Sequence, residues 1–333
     1  MRTAARWPYI VCAAQGVALA ALFSSLATSQ TDPGKPSTTA QAPPQEPTGA
    51  GQTSFRVESN LVVIPVSVTD AMNRFVLGLR KEDFRLMDDG VEQPIVHFSG
   101  EDIPLSIGLA FDTSGSMGDK LTTSREAASL LLKSLNPGDE AFLVEFSDNV
   151  DLSVAFTGQP EEIRSALMKA QPSGQTALLD GVNFSLSEMK KAKNPRKAVV
   201  VVSDGGDNHS KYTARQIEAL VRAADVEIYA MGVFDPLFSL GLSPEEISGP
   251  RLLSEIATQT GGRAFAASLP GDLPSVATRI AIELRNQYVL GYYPKDRTRD
   301  GRYHTVEVQL TQPPGMPALK AHWRQGYYAP SEN

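Results

Sequence analysis

The chain has 333 residues, enough for about two domains, and sets 31 lysines and arginines against 38 aspartates and glutamates, a formal net charge of −7. An acidic surface of this kind argues against nucleic acid as a partner, since that binding draws on clustered basic side chains. Cys12 is the only cysteine, so no internal disulfide staples the fold and its stability must come from its core.

Residues 1–29 have the form of a signal peptide. Arg2 and Arg6 precede an apolar stretch from Tyr9 to Leu26, and Ala27-Thr28-Ser29 supplies a small-residue cleavage site. Retention as an uncleaved anchor is the alternative. Cys12 lies inside the apolar stretch, not at the end of it where a lipoprotein cysteine would stand. The expected location is therefore exported: periplasmic, secreted or attached to the cell envelope. No later hydrophobic stretch is long enough to span a bilayer. Residues 30–54, rich in Pro, Ser, Thr, Gly and Gln, cannot bury enough surface to offset the entropy of ordering, and predict a flexible linker.

From residue 55 to 100 the pattern is that of strands. Val62, Ile64, Val66 and Val68 alternate with their neighbours, and the runs Phe84 to Met87 and Val91 to Phe98 flank an Asp88-Asp89-Gly90 turn. The far end, residues 286–330, adds Tyr288 to Tyr293, an alternating run around Val306, Val308 and Leu310, and Leu319 to Tyr328. Such short pieces are marginal alone. Together they predict one small β-sandwich built from both flanking segments, with residues 103–285 inserted between them.

Within the insert, strands and helices alternate, which predicts an α/β fold with a doubly wound, mainly parallel Rossmann-like sheet. Strands are expected at 105–111, 140–146, 150–156, 198–203, 227–233 and 263–266. The short link Ser147-Asp148-Asn149 makes one edge antiparallel. Helices are expected at 120–135, 161–170, 176–191, 213–224, 250–260 and 273–285. Thr213 with Gln216, and Ser243 with Glu246 behind Pro244, form capping boxes, and Gly261-Gly262 provides a helix stop. Residues 234–249 look like an irregular insert of unassigned role. The basic residues Lys190, Lys191, Lys193, Arg196 and Lys197 fit a solvated helix end that opposes the helix dipole.

Chemistry concentrates where the buried run from Leu105 ends in Asp112-Thr113-Ser114-Gly115-Ser116. A carboxylate and two hydroxyls at alternate positions can converge on a hard cation such as Mg²⁺, which takes oxygen donors. Turn and cap residues of the same types are the plain alternative for this motif alone. Thr176, at the start of a helix, and Asp204, just past a second apolar strand, make it specific. With Asp112, Ser114, Ser116, Thr176 and Asp204 in this order, the chain resembles the von Willebrand factor A domain and its metal-ion-dependent adhesion site, with every motif position filled.

The resemblance implies that Ser114 and Ser116 bind Mg²⁺ or Mn²⁺ directly, Thr176 directly or through water, and Asp112 and Asp204 largely through water. Neutral hydroxyls leave the ion's charge incompletely compensated, with an open position. The implied partner is a protein offering an Asp or Glu carboxylate. The flanks, including Lys81-Glu82-Asp83-Phe84, Asp88-Asp89-Gly90-Val91 and Arg324-Gln325-Gly326-Tyr327-Tyr328, are similar to those of the bacterial von Willebrand factor A-related proteins.

The expected function is thus non-catalytic, metal-dependent protein recognition. A scaffold whose metal site is ornamental is one alternative; a Mg²⁺-dependent hydrolase is another. The second lacks a Gly-rich phosphate loop, a Gly-x-Ser-x-Gly elbow and a cysteine nucleophile. The four histidines, His97, His209, His304 and His322, show no metal-ligand spacing. In related domains the last helix moves when the metal changes coordination, and here only Asn286-Gln287 separates that helix from the sandwich.

Overall fold

The computed structural model describes residues 61–233, 244–267, 269–295, 300–311 and 318–331. The expected signal peptide, the linker and residues 55–60 lie outside the described residues, as do Ser243 and the first part of the 234–249 insert. The described chain opens with β1 (Val62–Asp70), β2 (Phe84–Asp88), β3 (Val91–Gln93) and β4 (His97–Ser99). The α/β region follows as β5 (Leu105–Asp112), α1 (Leu121–Lys133), β6 (Glu140–Phe146), β7 (Val150–Thr157), α2 (Pro160–Leu167) and α3 (Leu178–Met189). It continues as β8 (Arg196–Ser203), α4 (Ala214–Ala223), β9 (Glu227–Val233), α5 (Pro244–Gln259), β10 (Ala264–Ala267) and α6 (Leu273–Arg285). The chain returns through β11 (Tyr288–Tyr292), β12 (Tyr303–Leu310), β13 (Leu319–Trp323) and β14 (Gly326–Tyr328).

The central sheet has six strands in the order β10-β9-β8-β5-β6-β7. All its pairings are parallel except β6 with β7, whose three-residue link permits an antiparallel hairpin. Every residue of β5 is buried, as its unbroken apolar run requires of a strand covered on both faces. One core packs Leu105, Ile107, Leu109 and Phe111 against α1, α2 and α6. The other packs Ala110, Val199 and Val201 against α3, α4 and α5.

Two four-stranded antiparallel sheets, β13-β1-β11-β4 and β14-β12-β2-β3, carry the flanks. Each combines strands from before and after the α/β region: β1 pairs with β11 and β13, and β2 pairs with β12. Ile64, Val66, Leu86, Leu290, Tyr292 and Val308 share one core between them. Phe84, Phe98 and Tyr288 add an aromatic triad with ring centroids 5.1–5.8 Å apart.

Four expectations need correction. The run Val91 to Phe98 is two strands in different sheets, because Pro94 lacks the N–H that a continuing ladder needs. Leu319 to Tyr328 likewise divides into β13 and β14. The fifth helix begins at Pro244, not Pro250, so the helix signal at Pro244 outweighs Pro250 and the second part of the supposed irregular insert is helical. The third helix begins at Leu178 because the backbone of Thr176 is committed elsewhere. Gly261 does end α5 region in the left-handed conformation, φ +86°, where an added Cβ would come within 2.4 Å of the Arg324 backbone nitrogen.

Candidate metal centre

Because β5 and β8 are neighbours, and their following connections lead outward to β6 and β9, a crevice opens beyond their carboxyl ends. Asp112 is the last residue of β5, and Asp204 follows the last residue of β8. Asp112 and Ser114 are fully buried and Thr176 and Asp204 nearly so, whereas Ser116 is exposed at the mouth.

Asp112 is held from two sides. Its Oδ1 accepts the Ser114 backbone N–H at 2.8 Å and its Oδ2 accepts the Ser203 hydroxyl at 2.6 Å. Burial, and then the charge of Asp204, push its carboxyl up to about 6 against these stabilising hydrogen bonds. The Ser114 and Ser116 hydroxyl oxygens lie 3.0 Å apart.

Thr176 arrives on a loop tied to both others. Gly115 N–H donates to Gly174 O at 3.1 Å, and Ser173 N–H donates to Thr113 O at 2.9 Å. On the other side Thr176 N–H donates to Asn208 Oδ1 at 2.9 Å, and Thr176 O accepts the N–H groups of Asn208 and His209. This commitment delays the helix to Leu178. Gly174 allows the approach: its φ is +75°, and a Cβ there would sit 2.1 Å from Asp148 Oδ2. Asp148 Oδ1 in turn accepts the Gln175 N–H at 2.8 Å.

Asp204 is the unbalanced member. Lys120 Nζ donates to its Oδ2 at 2.9 Å, while its buried Oδ1 has no hydrogen-bond partner among the described residues. A buried acceptor left in this state costs about 1–3 kcal/mol. Two buried carboxylates, one orphaned oxygen and a pair of convergent hydroxyls form the donor set of a hard divalent cation, so the residues present fit Mg²⁺ or Mn²⁺. The ammonium of Lys120 partly fills the same electrostatic role. Sequence reasoning missed Lys120, for it stands in no motif and reaches Asp204 from the helical turn that precedes α1.

Residues 108–206 match the von Willebrand factor type A domain family. The match lies within the α/β region, from β5 to just past β8. An uncharacterized protein of Borreliella burgdorferi is 26% identical over 199 residues, 53% of this chain and 57% of that protein. The chain thus spans little more than half the length of that relative. The von Willebrand factor domain of the type V pili tip protein Mfa5 from Porphyromonas gingivalis is similar in structure, with a TM-score of 0.45 and 13% identity. That similarity covers 54% of this chain and 95% of that one. Proximal thread matrix protein 1 from the mussel byssus, solved with a zinc-occupied MIDAS motif, gives a TM-score of 0.46 at 20% identity, over 59% of this chain and 49% of its own. Among the described residues, no helix is long and apolar enough to cross a membrane.

Proposed function

We propose that Asp112, Ser114, Ser116, Thr176 and Asp204 hold Mg²⁺ or Mn²⁺, and that this exported, non-catalytic protein uses the ion to recognise an acidic side chain of a protein partner. The observation that carries the reading is the buried Asp204 Oδ1, without a hydrogen-bond partner among the described residues, beside the buried Asp112. A divalent ion would satisfy that oxygen and offset the mutual repulsion of the two carboxylates. When bound, it supplies a Lewis-acidic position that favours a carboxylate oxygen from outside.

The chain's own residues do the remaining work. Ser203 and the Ser114 backbone orient Asp112, while the Gly174–Gly115 link holds the Thr176 loop over the first loop. Ser116, exposed at the mouth, faces any arriving group with a hydroxyl. Lys120 keeps Asp204 compensated until an ion competes for it. The division into a signal peptide, a linker and a type A domain between two halves of a sandwich belongs to the same proposal.

Affinity capture from the native cell envelope tests the reading. The protein retains a partner in Mg²⁺, releases it in EDTA, and loses it on Asp112→Ala. Equal capture by Asp112→Ala, or capture that EDTA leaves intact, would overturn it and favour contacts made by the sandwich instead.

A further inference from the structure

A second cluster of ligating atoms lies in the sandwich, at the turn between β2 and β3. Asp88, Asp89 and His304 each offer an atom there, and these atoms all lie within 4.8 Å of one another. His304 Nδ1 is 2.9 Å from Asp89 Oδ2 and 3.9 Å from Asp88 Oδ1. They border a recess of about 180 Å³ whose wall also includes Val91, Gln93 and Lys295.

Each of the three is anchored through one atom and presents another. Asp88 Oδ2 accepts the Tyr292 and Tyr327 hydroxyls, both at 3.0 Å. Its Oδ1 is buried and has no hydrogen-bond partner among the described residues, although the side chain is only 6% exposed. Asp89 Oδ1 accepts the backbone N–H and the hydroxyl of Thr305, both at 2.8 Å, leaving Oδ2 for His304. Asp89 is one of two described non-glycine residues with positive φ, 47°, a conformation aspartate tolerates better than most. His304 Nε2 faces Asp300 Oδ1 at 3.3 Å, and the imidazole stacks on Tyr327 at 5.5 Å between centroids. A carboxylate behind the outer ring nitrogen is the usual support of a metal-binding histidine, since it fixes the tautomer that leaves the inner nitrogen free.

We propose that Asp88 Oδ1, Asp89 Oδ2 and His304 Nδ1 bind a borderline divalent transition ion of the Zn²⁺ class, at a site separate from the type A domain centre. Nitrogen and oxygen bonds of about 2.0–2.1 Å in tetrahedral geometry place ligand atoms roughly 3.3 Å apart. The 2.9 and 3.9 Å separations straddle that spacing and the remaining pair lies within 4.8 Å, so side-chain rotation must draw the two carboxylates together around the ion. Two carboxylates and a neutral imidazole balance the ion's charge. The Lys295 ammonium, a cation on the rim, is turned to Glu92 O at 2.7 Å. An ion here would join the turn before the α/β region to β12 after it, pinning together the two chain ends of the sandwich.

Isothermal titration of the full chain with ZnCl₂ at pH 7.5 tests the site, in an Asp112→Ala background that silences the first centre. Added Co²⁺ gives an independent absorption signature of nitrogen and oxygen coordination. The parent takes up one Zn²⁺, and His304→Ala and Asp89→Asn each weaken that binding at least tenfold. Asn tolerates positive φ and can keep the Thr305 bonds, so the second variant separates ligation from folding; melting curves without metal confirm that both variants fold. Absence of Zn²⁺ binding by the parent, or a loss smaller than tenfold in either variant, would overturn the proposal and leave His304 as the partner of an ordinary ion pair.

Discussion

Replacing Lys120 by Met keeps the length of the side chain and removes its charge. In the present structure Lys120 Nζ sits 2.9 Å from Asp204 Oδ2, with side chains 27% and 7% exposed. Opposite charges about 4 Å apart attract by about 4 kcal/mol at an effective dielectric of about 20, before desolvation is subtracted. Partial exposure of the lysine and the cost of burying Asp204 reduce the net value to about 2 kcal/mol. Without metal, Lys120→Met should therefore be less stable by about that amount, or roughly 4–8 °C in melting temperature for a unit of this size. With metal the sign reverses. The ion no longer has to displace an ammonium from Asp204, so Mg²⁺ should bind roughly 10- to 100-fold more tightly, about 1.4 kcal/mol corresponding to each tenfold. Calorimetric titration with MgCl₂, alongside urea unfolding with and without Mg²⁺, measures both effects. Unchanged or weaker Mg²⁺ binding by the variant would refute the idea that lysine and ion compete for one carboxylate.

Gly174→Ala should weaken Mg²⁺ binding without removing any ligand, because the new Cβ would meet Asp148 Oδ2 at 2.1 Å and push the Thr176 loop away; calorimetry that gives the wild-type affinity would show the loop to be idle. Glu227 is buried at the junction with the sandwich, and burial pushes its carboxyl up from 4.5 to about 7 although Gln287 Nε2 donates to both its oxygens at 2.9 Å. Since the folded value exceeds the unfolded one, its contribution to stability is complete below pH 4.5 and is lost as pH rises through 7, by about 3 kcal/mol at about 1.4 kcal/mol per unit. Glu227→Gln should thus gain on the wild type between pH 5 and pH 8.5 in urea unfolding, and parallel stability curves would contradict this. Finally, α6 reaches β11 through Asn286 and Gln287, and Arg196 holds both Leu284 O and Gln287 Oε1. Metal binding should change amide exchange across residues 273–293, and identical protection with and without Mg²⁺ would remove the proposed link to the sandwich.

Much of the α/β layer was legible because its signals are local and redundant. The bounds of β6, β9 and α6 follow from mostly apolar runs and a clear helical period, and the Thr213–Gln216 capping box forms as its spacing predicts. The order of Asp112, Ser114, Ser116, Thr176 and Asp204 marked loops at the crevice, since the first three and Asp204 end or follow a strand and Thr176 precedes a helix. What stayed hidden depends on contacts between distant segments. Lys120 carries no signature of its own, and its role exists only through Asp204. His304 and Asp88 come from opposite flanks, so no histidine spacing could have joined them. A strand run was misjudged at Pro94, where the ladder loses an N–H, and a helix start near Thr176, where the backbone is committed elsewhere.

The most direct test of the central claim is a crystal grown in MnCl₂ and measured at the manganese absorption edge. An anomalous peak should lie within about 2.2 Å of the Ser114 and Ser116 hydroxyl oxygens. Asp112, Thr176 and Asp204 should be turned toward it, with Lys120 withdrawn from Asp204. Density that leaves the Lys120–Asp204 pair intact, with no ion beside the two serines at saturating Mn²⁺, would contradict the account.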